Sequence, residues 1–249
     1  MLIATWNVNG IRAREAQFTE WLGDLKPDIV CLQETKAPRE KVPENVVDLP
    51  GYFSFWHGTA GYSGVAVLVR RELTDEPEFI HPSWDFEDRA VSVSVRDVRV
   101  MSMYVPNGGK NFAEKMQFLE AVRDDVEQSH RDGRRVILCG DMNVAHQDRD
   151  VHPKERKAKP VIGQLPEERA LFSAILETGL IDLGRHFDPD NENLFSWWAP
   201  WRDLRQRNIG WRIDYILASE SLLEGASGCI VQPEVGTSDH APVVATMNW

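Results

Sequence analysis

The stretch that most limits how this chain can fold is Arg134 to Asn143, RRVILCGDMN. Val136 to Cys139 is a short apolar run entered from charged residues and left at Gly140, the pattern of a fully buried strand. A strand of that kind must be covered on both faces, so further layers have to pack over its sheet. At its exit stand Asp141 and Asn143. On extended backbone, a spacing of two points both side chains the same way. Paired oxygens at a strand mouth can hold a hard cation or position a water against a phosphate. The same Gly-Asp-x-Asn tetrapeptide can also do no more than turn the chain. Three other stretches bear on the choice.

Taken in order, Leu2 to Trp6 reads as a first strand ending at Asn7-Val8-Asn9-Gly10. Phe18, Trp21, Leu22 and Leu25 then fall at helical spacing and give one apolar stripe. Ile29 to Leu32 is a second buried strand, leaving through Gln33-Glu34-Thr35-Lys36. Strands follow at Tyr52–Trp56 and Val65–Arg70, and a hairpin at Ala90–Val95 and Val98–Val105. Phe112, Met116, Leu119 and Val126 mark a helix that delivers the chain to the opening strand. A polar stretch runs from Val144 to Gln164. Pro166-Glu167-Glu168 starts another helix, with Leu171, Phe172, Ile175 and Leu176 facing inward and Gly179 closing it. Strands at Arg212–Ala218 and Val243–Met247 complete the chain. A helix, a buried strand and a polar exit occur near Glu34 and again near Asp141. Many strands with interleaved helices point to two sheets packed face to face with helices outside, in one domain.

Composition removes several function classes. At 249 residues with 42% hydrophobic content, the chain can bury a sizeable core. No apolar run approaches membrane-spanning length, and Met1 to Thr5 lacks the basic start of a signal peptide. Cys31, Cys139 and Cys229 show no metal spacing and read as buried thiols in a reducing cytosol, so a cytoplasmic location is expected, nucleoid-associated in a prokaryote; a monomer is expected as well. A net charge of −11 argues against indiscriminate nucleic-acid binding, yet leaves room for a local basic cleft.

Four polar exits remain: Asn7, Glu34, Asp141 with Asn143, and Asp239-His240. Together they supply carboxylates, amides and one imidazole without the Cys/His density of a zinc site. Oxygen-rich ligation of this kind is magnesium chemistry, and a histidine beside it can polarise or neutralise a phosphate oxygen.

Six motifs, in order from end to end, are Trp6-Asn7-Val8-Asn9-Gly10, Leu32-Gln33-Glu34-Thr35-Lys36, Tyr104-Val105-Pro106-Asn107, Gly140-Asp141-Met142-Asn143, Gly210-Trp211-Arg212-Ile213-Asp214-Tyr215 and Ser238-Asp239-His240. They closely resemble the exonuclease III / apurinic-apyrimidinic (AP) endonuclease family. The resemblance implies an α/β fold, a four-layer α/β/β/α sandwich of the DNase I-like class, as a single domain over 1–249. It implies magnesium-dependent hydrolysis of duplex DNA 5′ to abasic sites, with 3′-end trimming, manganese being able to replace magnesium. By the same resemblance, Glu34 is the principal metal ligand, with Asn7, Asp141, Asn143, Asp239 and His240 around the ion. Asp141 matches the position that orients or deprotonates the attacking water. Tyr104 and Asn143 match phosphate contacts, and Asp214 holds the ring of His240. Trp197, Trp211 and Ile213 match the walls of a pocket for an extruded abasic sugar, Trp201 a wedge beside the gap, and Asn107 and Lys110 the DNA-facing loop. Trp198 is assigned to the core.

The basic groups from Arg202 to Arg212, including Arg205 and Arg207, flank that pocket and either form a solvated loop or track phosphates, whereas Lys154–Lys159 reads as a surface loop. Two departures stand out: Glu87-Asp88-Arg89 replaces the family's Glu-Gly-Arg, and Lys110 stands where many members carry Arg, losing the bidentate fork. Rival readings are a phosphoesterase of the same fold acting on a phosphoinositide or sphingomyelin, and a catalytically silent DNA-binding homologue.

Overall fold

A computed structural model describes residues 1–59 and 61–249. Its strands and helices are β1 (Leu2–Asn7), α1 (Ile11–Leu25), β2 (Ile29–Gln33), α2 (Glu44–Val47), β3 (Tyr52–His57), β4 (Val65–Arg70), β5 (Glu78–Ile80), β6 (Ala90–Val95), β7 (Val98–Tyr104), α3 (Phe112–Arg131), β8 (Arg135–Asp141), α4 (Pro166–Glu177), β9 (Leu180–Asp182), α5 (Leu183–Phe187), β10 (Asp214–Ser219), β11 (Ala226–Val231) and β12 (Val243–Met247). Two six-stranded sheets result, in the orders β11-β12-β1-β2-β4-β3 and β5-β6-β7-β8-β10-β9.

Among the paired strands, β1–β2 and β7–β8 are parallel, and each pair is joined by a helix, α1 or α3. Parallel neighbours require such a crossover, and its strands end at the same edge of the sheet. The repeated helix, strand and polar exit in the sequence are these two units. α1 stops where Lys26 turns left-handed, φ +49°, just before Pro27. α3 begins on Asn111, whose side chain accepts the Glu114 N–H at 3.3 Å.

Three apolar clusters mark the boundaries of four layers. Phe18, Trp21 and Leu22 of α1 pack on Ala4, Trp6, Val30 and Leu32. Phe118, Leu119 and Val122 of α3 and Phe172 of α4 pack on Val136 and Leu138. Between the sheets lie Ile3, Ile29, Cys31, Val100, Ile137, Cys139 and Ile216. The expected α/β/β/α single-domain sandwich is therefore present. No helix among the described residues is long and apolar enough to cross a membrane.

The strand pleat decides where the polar exits go. Residues two apart share a face, so the inter-sheet layer reads Ile3-Thr5-Asn7 on β1, Ile29-Cys31-Gln33 on β2, Val100-Ser102-Tyr104 on β7, Ile137-Cys139-Asp141 on β8 and Ala218-Ile216-Asp214 on β10. Each series is apolar at one end and polar at the other, and all five polar ends coincide. Thr5, Gln33 and Ser102 form the transition, with Thr5 Oγ1 donating to Gln33 Oε1 at 3.1 Å and Gln33 Nε2 to Ser102 Oγ at 3.0 Å. Gly140 has φ +149°, and a Cβ there would lie 1.9 Å from the Met103 carbonyl. Only glycine lets β7 and β8 meet at the site.

Short elements β5, β9, β11 and α5 were not anticipated from the sequence. The expected strand at Arg212–Ala218 begins at Asp214 instead, because the Arg212 N–H bonds the Asp150 carbonyl at 2.8 Å, outside the ladder.

Candidate active site

A chain of hydrogen bonds runs through the polar end of the inter-sheet layer. Asn7 Nδ2 donates to Glu34 Oε1 at 2.9 Å and to Asp141 Oδ2 at 3.0 Å, while its Oδ1 accepts the Asn9 N–H. Lys36 Nζ joins Glu34 Oε2 at 2.7 Å to Asn9 Oδ1 at 2.5 Å, and Asn9 Nδ2 donates to Asp239 Oδ1 at 2.7 Å. Trp197 Nε1 donates to the other oxygen of Asp239 at 3.1 Å. On the opposite side, His240 Nε2 lies 3.8 Å from Asp141 Oδ2, and His240 Nδ1 lies 2.9 Å from Asp214 Oδ2. Ser196, next to Trp197 in sequence, closes the circuit by donating to Asp214 Oδ2 at 2.7 Å.

The loop carrying Asp239-His240 is fastened to the first sheet. Trp6 Nε1 donates to the His240 carbonyl at 3.2 Å, and Ser238 Oγ to the Asn7 carbonyl at 2.7 Å. Asn143 joins by a turn, which corrects the expectation of a shared strand face. The strand ends at Asp141, and Asn143 adopts φ +50°, with its N–H bonded to Asp141 Oδ1 at 2.9 Å. An Asn tolerates that conformation better than most residues.

Burial sets the charges. Asp141 is raised to about 7, first by desolvation, with His240 opposing and Asp214 and Glu34 adding to the rise. Desolvation works against the His240 cation, but Asp214 and Asp141 outweigh it and raise His240 to about 10. At neutral pH the imidazole is therefore protonated and both nitrogens donate. Glu34 and Asp239 lie below the usual carboxylate range despite burial, Glu34 through its bonds from Asn7 and Lys36, Asp239 through His240, Asn9 and Trp197. Desolvation also raises the Tyr104 phenol, with Glu34 and Asp141 beside it, so it stays an O–H donor.

Ligand atoms of Glu34, Asp141 and His240 lie within 4.8 Å of one another. His240 is the third member of the group, its Nδ1 held by Asp214 and its Nε2 facing Asp141. Burial is the main reason Asp141 is raised, with the charges of Asp214 and then Glu34 adding to it, and a hard divalent cation bound between the Glu34 and Asp141 oxygens would offset those costs. The donor set fits such an ion. Asn7 Nδ2 bridges the two carboxylates, and Asn143 Nδ2 donates to the Val105 carbonyl at 2.8 Å. Both oxygens of Asp239 already accept hydrogen bonds.

Above these groups opens a cavity of about 330 Å³, walled by Trp197, Trp211 and Ile213 and floored by Glu34, Asp141 and His240. Trp197 and Trp211 meet edge to face at 5.5 Å. Asn107 and Asn143 lie at its rim, joined by a 3.3 Å bond. Lys110 is exposed beside Tyr62, its Nζ 5.4 Å from the ring. Trp198 is buried, as expected, whereas Trp201 is 60% exposed, so it does not fold back into the core.

Two arginines that could track phosphates are spoken for. Arg205 donates to the carbonyls of Pro233, Val235 and Ser238 and lies over the Trp198 ring. Arg212 is buried between Asp150 and Asp182, at 2.8 and 2.7 Å. Arg89 is also buried, held by Glu87 and lying 4.8 Å from the centre of the Tyr104 ring. Its turn accommodates the departure from glycine by placing Glu87 and Asp88 at φ +57° and +56°. Ser196, Asn9 and Lys36 are site residues that sequence reasoning missed. Lys36 lies within a quoted motif, and Ser196 beside two tryptophans, but neither carries a signal of its own.

Comparison with known proteins agrees with the geometry. Residues 4–240 match the Endonuclease/Exonuclease/phosphatase family. The chain is 38% identical to an exodeoxyribonuclease of Bacillus subtilis (strain 168), covering 100% of both. It is similar to the structure of an AP endonuclease from Archaeoglobus fulgidus, with TM-score 0.89, 32% identity and 100% of both chains covered. A 3′ phosphatase from Neisseria bound to a product DNA hairpin matches with TM-score 0.89 and 31% identity, again over 100% of both chains. This chain belongs to the endonuclease/exonuclease/phosphatase family and is a phosphodiester hydrolase of its exonuclease III / AP endonuclease branch.

Proposed function

We propose that the protein acts on duplex DNA as a monomer, hydrolysing the phosphodiester 5′ to abasic sites in a magnesium-dependent reaction. The observation that carries this reading is His240 Nε2 lying 3.8 Å from the buried Asp141 carboxylate, both opening into the Trp197/Trp211/Ile213 cavity. An extruded nucleotide needs a close-fitting apolar pocket next to the chemistry. A phosphoinositide headgroup gains little from paired indoles; a choline headgroup could use them by cation–π contact, and against it stands the full-length similarity to an exodeoxyribonuclease.

The roles follow from the charges. Asp141, buried at the cavity floor 3.8 Å from His240 Nε2, would orient or deprotonate the attacking water. His240 Nε2–H places positive charge where the phosphate gains negative charge, and Asp214 with Ser196 holds the ring so that Nε2 faces Asp141. Tyr104 offers an O–H to the same phosphate. Glu34 and Asp141 would hold magnesium, with manganese able to replace it, and the ion supplies Lewis-acid charge to the phosphate when bound. Trp201 would stack beside the vacated base position, with Lys110 and Asn107 against the backbone.

The same site would also remove blocking groups and nucleotides from 3′ ends, a second reading supported by the similarity to a 3′ phosphatase bound to a DNA hairpin. Labelled duplexes carrying an abasic analogue, a recessed 3′ end, a 3′-phosphate or none of these separate the activities. Magnesium-dependent cleavage at the abasic analogue is expected to dominate. Failure on every DNA substrate, with turnover of a phospholipid headgroup, would overturn the reading.

A further inference from the structure

The carbonyls of Asn107 and Asn143, on two different loops at the cavity rim, converge on one buried ammonium group. Lys115, on α3, is 0% exposed, and its Nζ donates to the Asn143 carbonyl at 2.8 Å and the Asn107 carbonyl at 3.3 Å. Its third partner is Glu168 Oε1, on α4 and also 0% exposed. Glu168 Oε2 then accepts the N–H groups of Gly163 at 2.7 Å and Leu165 at 2.9 Å. One ion pair thus ties the β7–α3 loop to both ends of the β8–α4 loop, and Asn107, Asn143 and Gly163 all line the catalytic cavity.

The fit around the pair leaves little slack. A Cβ on Gly108, at φ +88°, would come within 2.9 Å of Lys115 Cδ. One on Gly163, also at φ +88°, would lie 2.9 Å from the Trp211 ring and 3.2 Å from the Asn143 carbonyl. The loop held by Glu168 therefore abuts both the pocket wall and the turn after Asp141. A buried ion pair adds little net stability over an apolar pair of similar volume, because desolvation offsets the attraction. What such a pair supplies here is direction: five hydrogen-bonded contacts that fix the β7–α3 loop against both ends of the β8–α4 loop.

We propose that Lys115 and Glu168 are positioning residues for the hydrolytic reaction, fixing Asn143 and the Gly163–Trp211 contact relative to Asp141, so that they set turnover more than substrate binding. The proposal deepens the nuclease reading above and rests on it. Apolar replacement of both partners, Lys115→Met with Glu168→Met, removes the staple without stranding a charge. In that double variant kcat at an abasic analogue is expected to fall by at least about tenfold, since misplacing reacting groups by about 1 Å can lower rates a hundredfold. KM should stay within about threefold, while the melting temperature should fall, because the Asn107 and Asn143 carbonyls and the Gly163 and Leu165 N–H groups lose their partners.

A folded double variant with wild-type kcat overturns the proposal, as does a loss confined to KM. Should the double variant not fold, Glu168→Gln decides. It keeps an oxygen for Gly163 and Leu165 but loses the charge holding Lys115, so kcat should drop severalfold at constant KM, and an unchanged kcat overturns the proposal. Amide hydrogen exchange over residues 143–165 without DNA supplies a readout independent of substrate. It should accelerate in whichever of the two variants folds, and unchanged exchange also overturns the proposal. Failure of the wild-type protein to cleave any duplex counts against the nuclease reading alone.

Discussion

His240 Nδ1 lies 2.9 Å from Asp214 Oδ2, with both side chains buried, and this contact keeps the imidazole charged. Removing the carboxylate charge with Asp214→Asn takes away the largest influence favouring the cation, so His240 should titrate well below its present value of about 10. The alkaline limb of the kcat–pH profile is expected to move down toward neutrality. At pH 8 the variant should lose at least about a hundredfold in kcat, the usual range for a lost charge-stabilising group. An alkaline limb that does not move would separate His240 from the reaction.

Asp141 gives a stability prediction of opposite sign to the usual one for a carboxylate. Its value in the folded protein is raised from 3.8 to about 7, so folding favours its protonated form. The destabilisation is absent below pH 4, develops between pH 4 and 7, and is complete above 7. In metal-free protein, Asp141→Asn should therefore raise the melting temperature at pH 8 and leave it almost unchanged at pH 4, while abolishing most turnover. Thermal scans at both pH values check this.

His57 supplies a control outside the lining of the catalytic cavity. Its Nε2 lies 2.7 Å from Asp85 Oδ2, and that hydrogen bond raises the imidazole above its ordinary value. The stabilisation is full below the unfolded value near 6.5 and disappears as pH rises through the folded value. His57→Asn should lower the melting temperature at pH 5.5 more than at pH 9, and catalysis should be spared.

Trp201 and Trp211 are expected to behave differently from each other. Trp201→Ala should weaken binding to abasic duplex by about 1–3 kcal/mol, the scale of one base–aromatic stack, without changing the melting temperature. Trp211→Ala should reduce cleavage at an abasic analogue more than binding to undamaged duplex, because the pocket is used only after extrusion. Equal losses on both duplexes would make Trp211 a scaffold residue.

Much of this arrangement was legible in the sequence because the strand period carries it. Alternation along Ile137-Cys139-Asp141 places Asp141 on the inter-sheet face, and the motif matches name its neighbours. β5 and β9 are three residues each and β11 is rich in small residues, so none builds a periodic signal. Charge was the poorer guide. Arg205 and Arg212 look like phosphate ligands in a linear chain, yet their guanidinium groups are claimed by backbone carbonyls and buried carboxylates. Lys115 and Glu168 sit in amphipathic helices as ordinary polar positions, and only tertiary packing shows that both are inside.

The most direct test is single-turnover cleavage of a 5′-labelled duplex with one abasic analogue, titrated with magnesium, for wild type and Glu34→Gln. One magnesium-dependent nick on the 5′ side of the analogue is expected, abolished by EDTA and restored by added magnesium. Glu34→Gln should need more magnesium and turn over at least about a hundredfold more slowly. Full cleavage in EDTA, or a Glu34→Gln enzyme as fast as wild type at the same magnesium concentration, would contradict it.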